Sequence, residues 1–302
     1  MWYLQESNQG HKDFQSFALP TELRYRILKC SKYKRLFRLE QIITNKNLLV
    51  ILRNSQITIM NLTLDIGNTF SKYSVFDLNM IVDQGSWKSI NVVEEFKIWT
   101  KNNPDCKSII ISDVYGVDNF LFESLVECKL VWVSSLINLP FTMNYKTPNS
   151  LGPDRISLIA SAVNEYPKSN CLIIDLGTCI TYDFVNELAE YKGGSISPGF
   201  SLRYKSLNLF TSKLPELEFT PQNDIIGNST ESSIQSGIFF GILGELKNQI
   251  SYYKENFKNL TVILTGGDAD KLSNQIKNSI FANHNFISKG LYTVLQLNTD
   301  EF

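Results

Sequence analysis

Leu62-Thr-Leu-Asp-Ile-Gly-Asn-Thr-Phe-Ser-Lys72 opens on alternating apolar residues, Leu62, Leu64 and Ile66, the period of a half-buried strand. Asp65 interrupts that strand. A carboxylate among apolar neighbours needs a metal or hydrogen-bond donors, because a buried charge without a partner is costly. Gly67-Asn68-Thr69 follows as a tight turn of small side chains, able to aim backbone N–H groups and a hydroxyl at a phosphate. Taken alone, the stretch reads equally well as a plain β-hairpin.

The stretch recurs. Leu172-Ile-Ile-Asp-Leu-Gly-Thr-Cys-Ile-Thr181 again sets an Asp in an apolar strand, then Gly, then a Thr hydroxyl, then a second strand from Ile180 to Val185. Asp175 follows Asp65 by 110 residues. That is the span of one small domain, so the spacing predicts a duplicated α/β unit. Two such turns facing each other across a cleft would clamp a nucleotide phosphate tail with its cation between them. The pattern resembles the actin-like ATPase and sugar-kinase superfamily.

The flanking sequence supports this layout. Leu62–Ile66, Tyr73–Phe76 and Met80–Trp87 read as three short antiparallel strands. A helix over Val92–Thr100, a strand over Ser108–Ser112, a helix over Val117–Cys128 and a strand over Leu130–Val133 follow. Three strands and then alternating helix and strand is a ribonuclease-H-like order. After a Pro- and Asn-rich linker, Asp154-Arg155 opens a helix to about Glu165. Strands Leu172–Leu176, Ile180–Val185 and Tyr191–Ser197 repeat the first unit, with helices over Phe200–Leu209 and Glu231–Phe257 and a strand over Leu260–Leu264. The expected division is a leader over 1–59 and ribonuclease-H-like domains over 60–170 and 171–302. Glycines 193, 194 and 199 let backbone approach a ligand or a neighbouring strand. Gly237, Gly241 and Gly244, one turn apart on the long helix, suit close helix packing or a subunit interface.

Composition bounds the function. The chain has 302 residues, 43% of them hydrophobic and 20% charged, with a net charge of −1. This is ordinary for a soluble globular protein and gives no global signal for nucleic acid or membrane. The charge is uneven, however. Residues 1–59 hold 10 Lys/Arg against 4 Asp/Glu, and the remainder 19 against 26. We expect the basic leader to be poorly ordered or foreign to the native protein, and Met60 to be the native start. Five cysteines without a C-x-x-C pair, no signal-peptide pattern and no apolar span point to a reducing cytoplasm. With only His11 and His284 available, a general base is expected to be a carboxylate. Asp154 and Arg155, at a helix start beside a flexible loop, suit a small anionic substrate.

Five motifs in order sharpen the resemblance: Asp65–Lys72, Leu151-Gly-Pro-Asp-Arg155, Asp175–Thr181, Gly193–Gly199 and Thr230–Gly237. From about Met60 to the C-terminus the chain is similar to the type III pantothenate kinases. The Gly-x-Asp-Arg motif separates that family from sugar kinases and chaperone ATPases. The resemblance implies ATP-dependent phosphorylation of the pantothenate 4′-hydroxyl, the first step towards coenzyme A, in a cytoplasmic homodimer. It implies Asp154 as the general base, with Tyr145, Gly152, Pro153, Asp154, Arg155 and Thr230 on pantothenate. Asp65, Ile66, Gly67, Asn68, Thr69, Phe70, Ser71 and Lys72 would form the ATP phosphate loop, with Asp65 near Mg²⁺ and Thr178 also touching ATP. Asp175 would hold a monovalent cation, K⁺ or ammonium. The family usually has Asn before the Thr that corresponds to Thr230, where this chain has Ser229. Phosphoryl transfer needs positioning and charge neutralisation more than covalent help, which these residue types supply. The absence of Gly-x-x-x-x-Gly-Lys-Ser/Thr disfavours a P-loop enzyme. The competing readings are another small-molecule kinase of the same fold and a non-catalytic accessory or regulatory protein.

Overall fold

The computed structural model describes residues 60–272, 275, 276, 279–281 and 285–299. The leader over 1–59, His11 and His284 lie outside them. The first sheet is built from β1 (Met60–Ile66), β2 (Phe70–Asp77) and β3 (Met80–Lys88), then α1 (Val92–Asn102), β4 (Cys106–Asp113), the short α2 (Asn119–Glu123) and β5 (Lys129–Trp132). Its order is β3-β2-β1-β4-β5. The first three strands pair antiparallel, and β4 and β5 continue parallel to β1. β1 is central and covered on both faces: Leu62, Leu64 and Ile66 are fully buried, and so is Thr63.

The chain then adds β6 (Thr142–Met143) and α3 (Pro153–Glu165) and starts a second sheet. Its elements are β7 (Asn170–Leu176), β8 (Cys179–Val185), β9 (Glu190–Pro198), α4 (Phe200–Leu209), α5 (Thr230–Asn256), β10 (Leu260–Thr265), β11 (Ile280–Phe281) and α6 (Phe286–Asn298). The order is β11-β10-β7-β8-β9-β6. Without the edge strand β6, this is the first sheet repeated, with β7 in the place of β1, and both central strands end on an aspartate and a glycine turn. The duplicated ribonuclease-H-like α/β architecture expected from the paired turns is therefore present.

Helices α3 and α6 bind the halves together. They cross so closely that a Cβ on Gly290 would lie 1.8 Å from the Ser157 carbonyl oxygen, and Ser161 Oγ donates to the Phe286 carbonyl at 2.6 Å. α6 also reaches the first sheet. Ser74 Oγ donates to Ser288 Oγ at 3.0 Å, and the Tyr292 ring stacks on Phe76 at 4.2 Å. One apolar core thus joins Phe76 and Ile110 of the first sheet to Ile173 and Val185 of the second.

Two expectations need correction, and one element is additional. The helix read over Val117–Cys128 is only Asn119–Glu123. Asp118 caps its start by accepting from the Phe120 amide at 3.0 Å, and only Phe122 of the five residues is buried, too little anchorage for more turns. The second strand begins at Phe70 rather than Tyr73, so the end of the expected phosphate loop is already paired with β1. Helix α6 was not foreseen.

Candidate active site

Asp65 sits near the end of β1, with Ser112 beside it on the parallel strand β4. Ser112 Oγ donates to Asp65 Oδ1 at 2.9 Å. The turn after Asp65 is held from behind by Ser89, a buried residue just past β3. Its hydroxyl donates to the Gly67 carbonyl at 2.7 Å, and its amide donates to the Thr69 carbonyl at 3.1 Å. Because that hydroxyl proton is spent on Gly67, Ser71 Oγ must be the donor in the 3.0 Å contact with Ser89 Oγ. All described peptides are trans, so drawing the Gly67 carbonyl back turns the Asn68 N–H away from Ser89. Asn68, Thr69, Phe70 and Lys72 line the cleft.

The second turn is tighter. The Gly177 amide donates to the Cys179 carbonyl at 3.0 Å, and the Gly199 amide to the Thr178 carbonyl at 3.0 Å. A Cβ on Gly199 would lie 2.2 Å from the Gly177 oxygen, and one on Gly194 would lie 1.6 Å from the Tyr182 oxygen. Gly194 and Gly199 therefore admit neighbouring backbone, one of the two roles open to them in the sequence, while Gly193 is required by its φ of +105°. Gly266, at φ +95°, brings the turn after β10 against Asp175, where a Cβ would stand 2.4 Å from Asp175 Oδ1. Thr178, Gly266 and Gly267 complete a cleft of about 210 Å³ whose floor holds both Asp65 and Asp175.

Asp154 belongs to neither sheet. Gly152 caps α3, Pro153 occupies its first position, and Asp154 Oδ1 accepts from the Arg155 amide at 2.8 Å. A Cβ on Gly152 would lie 2.3 Å from that oxygen, which gives the glycine a steric reason. Arg155 turns inward and is buried. Its Nε and Nη2 donate to Asp183 Oδ1 at 3.0 and 2.7 Å. Tyr191 accepts from Nη2 at 2.9 Å and donates to Asp183 at 2.8 Å, and Tyr145 packs on Tyr191. The guanidinium read from sequence as facing an anionic substrate is thus committed to a buried ion pair.

Thr230 does not line the cleft. It opens α5 and lines a separate groove with Arg203 and Gly237. Ser229 caps that helix by accepting from the Ser232 amide at 3.1 Å. Serine caps as well as asparagine, which accounts physically for the departure at this position. Gly237 and Gly244 are open: a Cβ on either would meet nothing within 4 Å.

The three aspartates act on one another. Burial pushes the Asp65 and Asp175 carboxyls up to about 7, and the charge of Asp154 adds to both shifts. On Asp65 the Ser112 hydrogen bond and Lys72 oppose this; on Asp175, Lys72 does. Burial raises Asp154 as well, against the Arg155 amide and charge. Among the described residues no three His, Cys, Asp or Glu side chains stand close enough to hold a metal ion by themselves. A cation here would therefore take one or two carboxylates and complete its shell with other oxygens, and the exposed turn beside them favours phosphate oxygens.

Comparison with known proteins agrees with this geometry. The family model for type III pantothenate kinases matches residues 61–252. The type III pantothenate kinase of Christiangramia forsetii is 47% identical over 240 residues, covering 79% of this chain and 99% of its own. Two solved structures share the fold. One, described as a conserved putative Baf family transcriptional activator from Campylobacter jejuni, has a TM-score of 0.52 at 19% identity and covers 78% of this chain and 98% of its own. The other, described as a putative 2-dehydro-3-deoxygalactonokinase from Sinorhizobium meliloti, has a TM-score of 0.55 at 9% identity and covers 80% and 99%.

Proposed function

The chain belongs to the type III pantothenate kinase family, and we propose that Asp154 is the general base by which it transfers the γ-phosphoryl group of ATP to the pantothenate 4′-hydroxyl. The observation that carries this reading is that Asp65 and Asp175 share the cleft floor and that the charge of Asp154 acts on both of them. A carboxylate raised by burial is a better base than an ordinary one, and Asp154 is the member of the three that stands outside both turns. The phosphate tail lies along Gly67–Lys72 and Thr178. In this reading the Asn68 amide, the Thr69 hydroxyl and Lys72 meet phosphate oxygens, and Tyr145, Gly152, Pro153 and Arg155 shape the acceptor side. Arg155 does so as the pillar of its loop, its charge balanced by Asp183.

Asp65 has the chemistry of a Mg²⁺ ligand, a carboxylate with one oxygen fixed by Ser112. Asp175 fits a monovalent cation: beside it on β8 lies Thr181, whose buried Oγ1 has no hydrogen-bond partner among the described residues. Bound cations supply charge neutralisation for the phosphates. We also read the chain as a cytoplasmic homodimer that uses the open glycine face of α5, which its own fold does not cover. No described helix is long and apolar enough to cross a membrane.

The test is an ATP-dependent phosphorylation assay on pantothenate, with hexoses and acidic sugars as alternative acceptors, with and without K⁺. Turnover on pantothenate that needs both Mg²⁺ and K⁺ is expected. Turnover on a sugar alone, or none with any acceptor, would sink the assignment. Light scattering should give twice the chain mass, and Gly244→Glu should halve it.

A further inference from the structure

The two sheets surround their aspartates with the same positions, and one position differs in kind. Across the antiparallel pair from Asp65 stands Lys72, and across the parallel pair stands Ser112. The corresponding neighbours of Asp175 are Thr181 and Thr265. Where the first half carries an ammonium, the second carries a hydroxyl. Directly opposed residues of an antiparallel pair share a face with their Cβ atoms about 5 Å apart, so Thr181 and Asp175 are side-chain neighbours.

Thr181 is only 7% exposed. Its Oγ1 is one of three buried side-chain polar atoms, among the described residues, that no protein group satisfies. A hydroxyl taken from water and left without a partner costs about 1–3 kcal/mol, so an occupant that bonds it would recover that cost. The charges around it say which occupant. Asp154, Asp65 and, more weakly, Asp183 add negative field at Asp175, and the opposing field comes from Lys72, which also serves Asp65. Asp183, two residues along β8 from Thr181, already has its own ion pair with Arg155 at 2.7 Å. The missing component is one positive charge that takes oxygen ligands. A single carboxylate and a neutral hydroxyl form a weakly charged oxygen set, better matched to a monovalent ion than to Mg²⁺, which keeps strict octahedral geometry and most of its water.

We propose that Thr181 Oγ1 and the Asp175 carboxylate are two ligands of one monovalent cation, which does at Asp175 what the Lys72 ammonium does at Asp65. The proposal rests on the assignment of a monovalent cation to Asp175 above and adds to it a second ligand and a reason: the second half lacks the lysine of the first.

The experiment titrates KCl into the full chain without substrates, with choline chloride holding ionic strength constant, and reads the rise in Tm and the ²⁰⁵Tl⁺ signal of thallium exchanged into the site. Turnover against K⁺ is measured in parallel. Thr181→Val keeps the shape and removes the oxygen; its K⁺ midpoint should rise about tenfold in all three readouts, while Thr181→Ser stays near wild type. Thr181→Lys should show no K⁺-dependent rise in Tm and turn over without K⁺. An unchanged midpoint in Thr181→Val overturns the proposal. So does a raised KM for pantothenate with the K⁺ midpoint unmoved, which would assign the hydroxyl to the substrate. Asp175→Asn separates the two levels. If it keeps the wild-type K⁺ response, the assignment of the cation to Asp175 fails. If it loses the response while Thr181→Val keeps it, only the Thr181 ligand fails.

Discussion

The halves of this molecule share a strand order and a pair of turns, yet the turns are finished differently. In the first, six residues separate Asp65 from its cross-strand partner Lys72; in the second, five separate Asp175 from Thr181. Behind the first turn stands Ser89, whose hydroxyl reaches the Gly67 carbonyl at 2.7 Å. Gly199 takes the corresponding place behind the second, with room for no side chain at all. The longer, serine-backed turn lines the cleft with Asn68, Thr69 and Lys72, whereas the shorter, glycine-backed turn closes on itself. In the proposed reading the first of these two carboxylate turns takes phosphate and the second takes a cation in place of the lysine it lacks.

The largest effect is expected where the halves meet. Asp154→Asn should lower kcat by about 10²–10⁴ with Tm retained, since it removes a general base and keeps the amide geometry of the helix start. Steady-state kinetics beside a melting curve checks this, and wild-type turnover in a folded variant would remove Asp154 as the base. Next comes the division between the turns. Asp65→Asn should raise the Mg²⁺ needed for half-maximal activity by about tenfold or more and leave the K⁺ midpoint alone, with the converse for Asp175→Asn. If both variants shifted both midpoints equally, the two aspartates would share one cation and the division would fail.

A smaller effect is expected at Ser89. Ser89→Ala leaves the Gly67 carbonyl without its donor, at a cost of about 1 kcal/mol. It should raise KM for ATP about fivefold and leave KM for pantothenate unchanged; equal changes in both would mean general loosening. The smallest effect is in pH dependence. The ordinary carboxyl value is 3.8, and the folded Asp65 and Asp175 stand near 7. Between those values the folded protein holds protons that the unfolded chain has released, so the cation-free protein loses stability as pH rises from about 4 to 7. Cations that favour the ionised form should therefore raise Tm more at pH 8 than at pH 5. Asp65→Asn/Asp175→Asn should flatten the cation-free curve, as melting across that range would show.

Much of this was legible in sequence because it is local and repeated. Two apolar strands each broken by Asp and followed by Gly predicted the duplicated fold and the cleft floor. What escaped was non-local. Ser89 reaches back across a hairpin, and Ser112 joins Asp65 only through the parallel strand β4. Helix α6 follows a turn-rich stretch whose periodicity was not read. The Arg155–Asp183 pair could have been found by the rule that singled out Asp65 and Asp175, since Asp183 also sits in an apolar strand, Ile180-Thr-Tyr-Asp-Phe-Val185. The rule fails for the expected helix over Val117–Cys128 because apolar spacing there lacks a surface to cover: Phe120 is 77% exposed and Leu121 40%.

Helix α6 also bears on how the chain is made. It follows the whole second sheet in the order of synthesis, yet its Ser288 and Tyr292 pack on β2 of the first. The strands of the first sheet therefore leave the ribosome before the segment that seals one of their faces. The first half is expected to stay unfinished while the second is translated, unlike an independent domain. A nascent chain stalled before Phe286 would present Phe76 and Ile110 to chaperones and proteases, so quality control would register an interrupted copy by its first sheet.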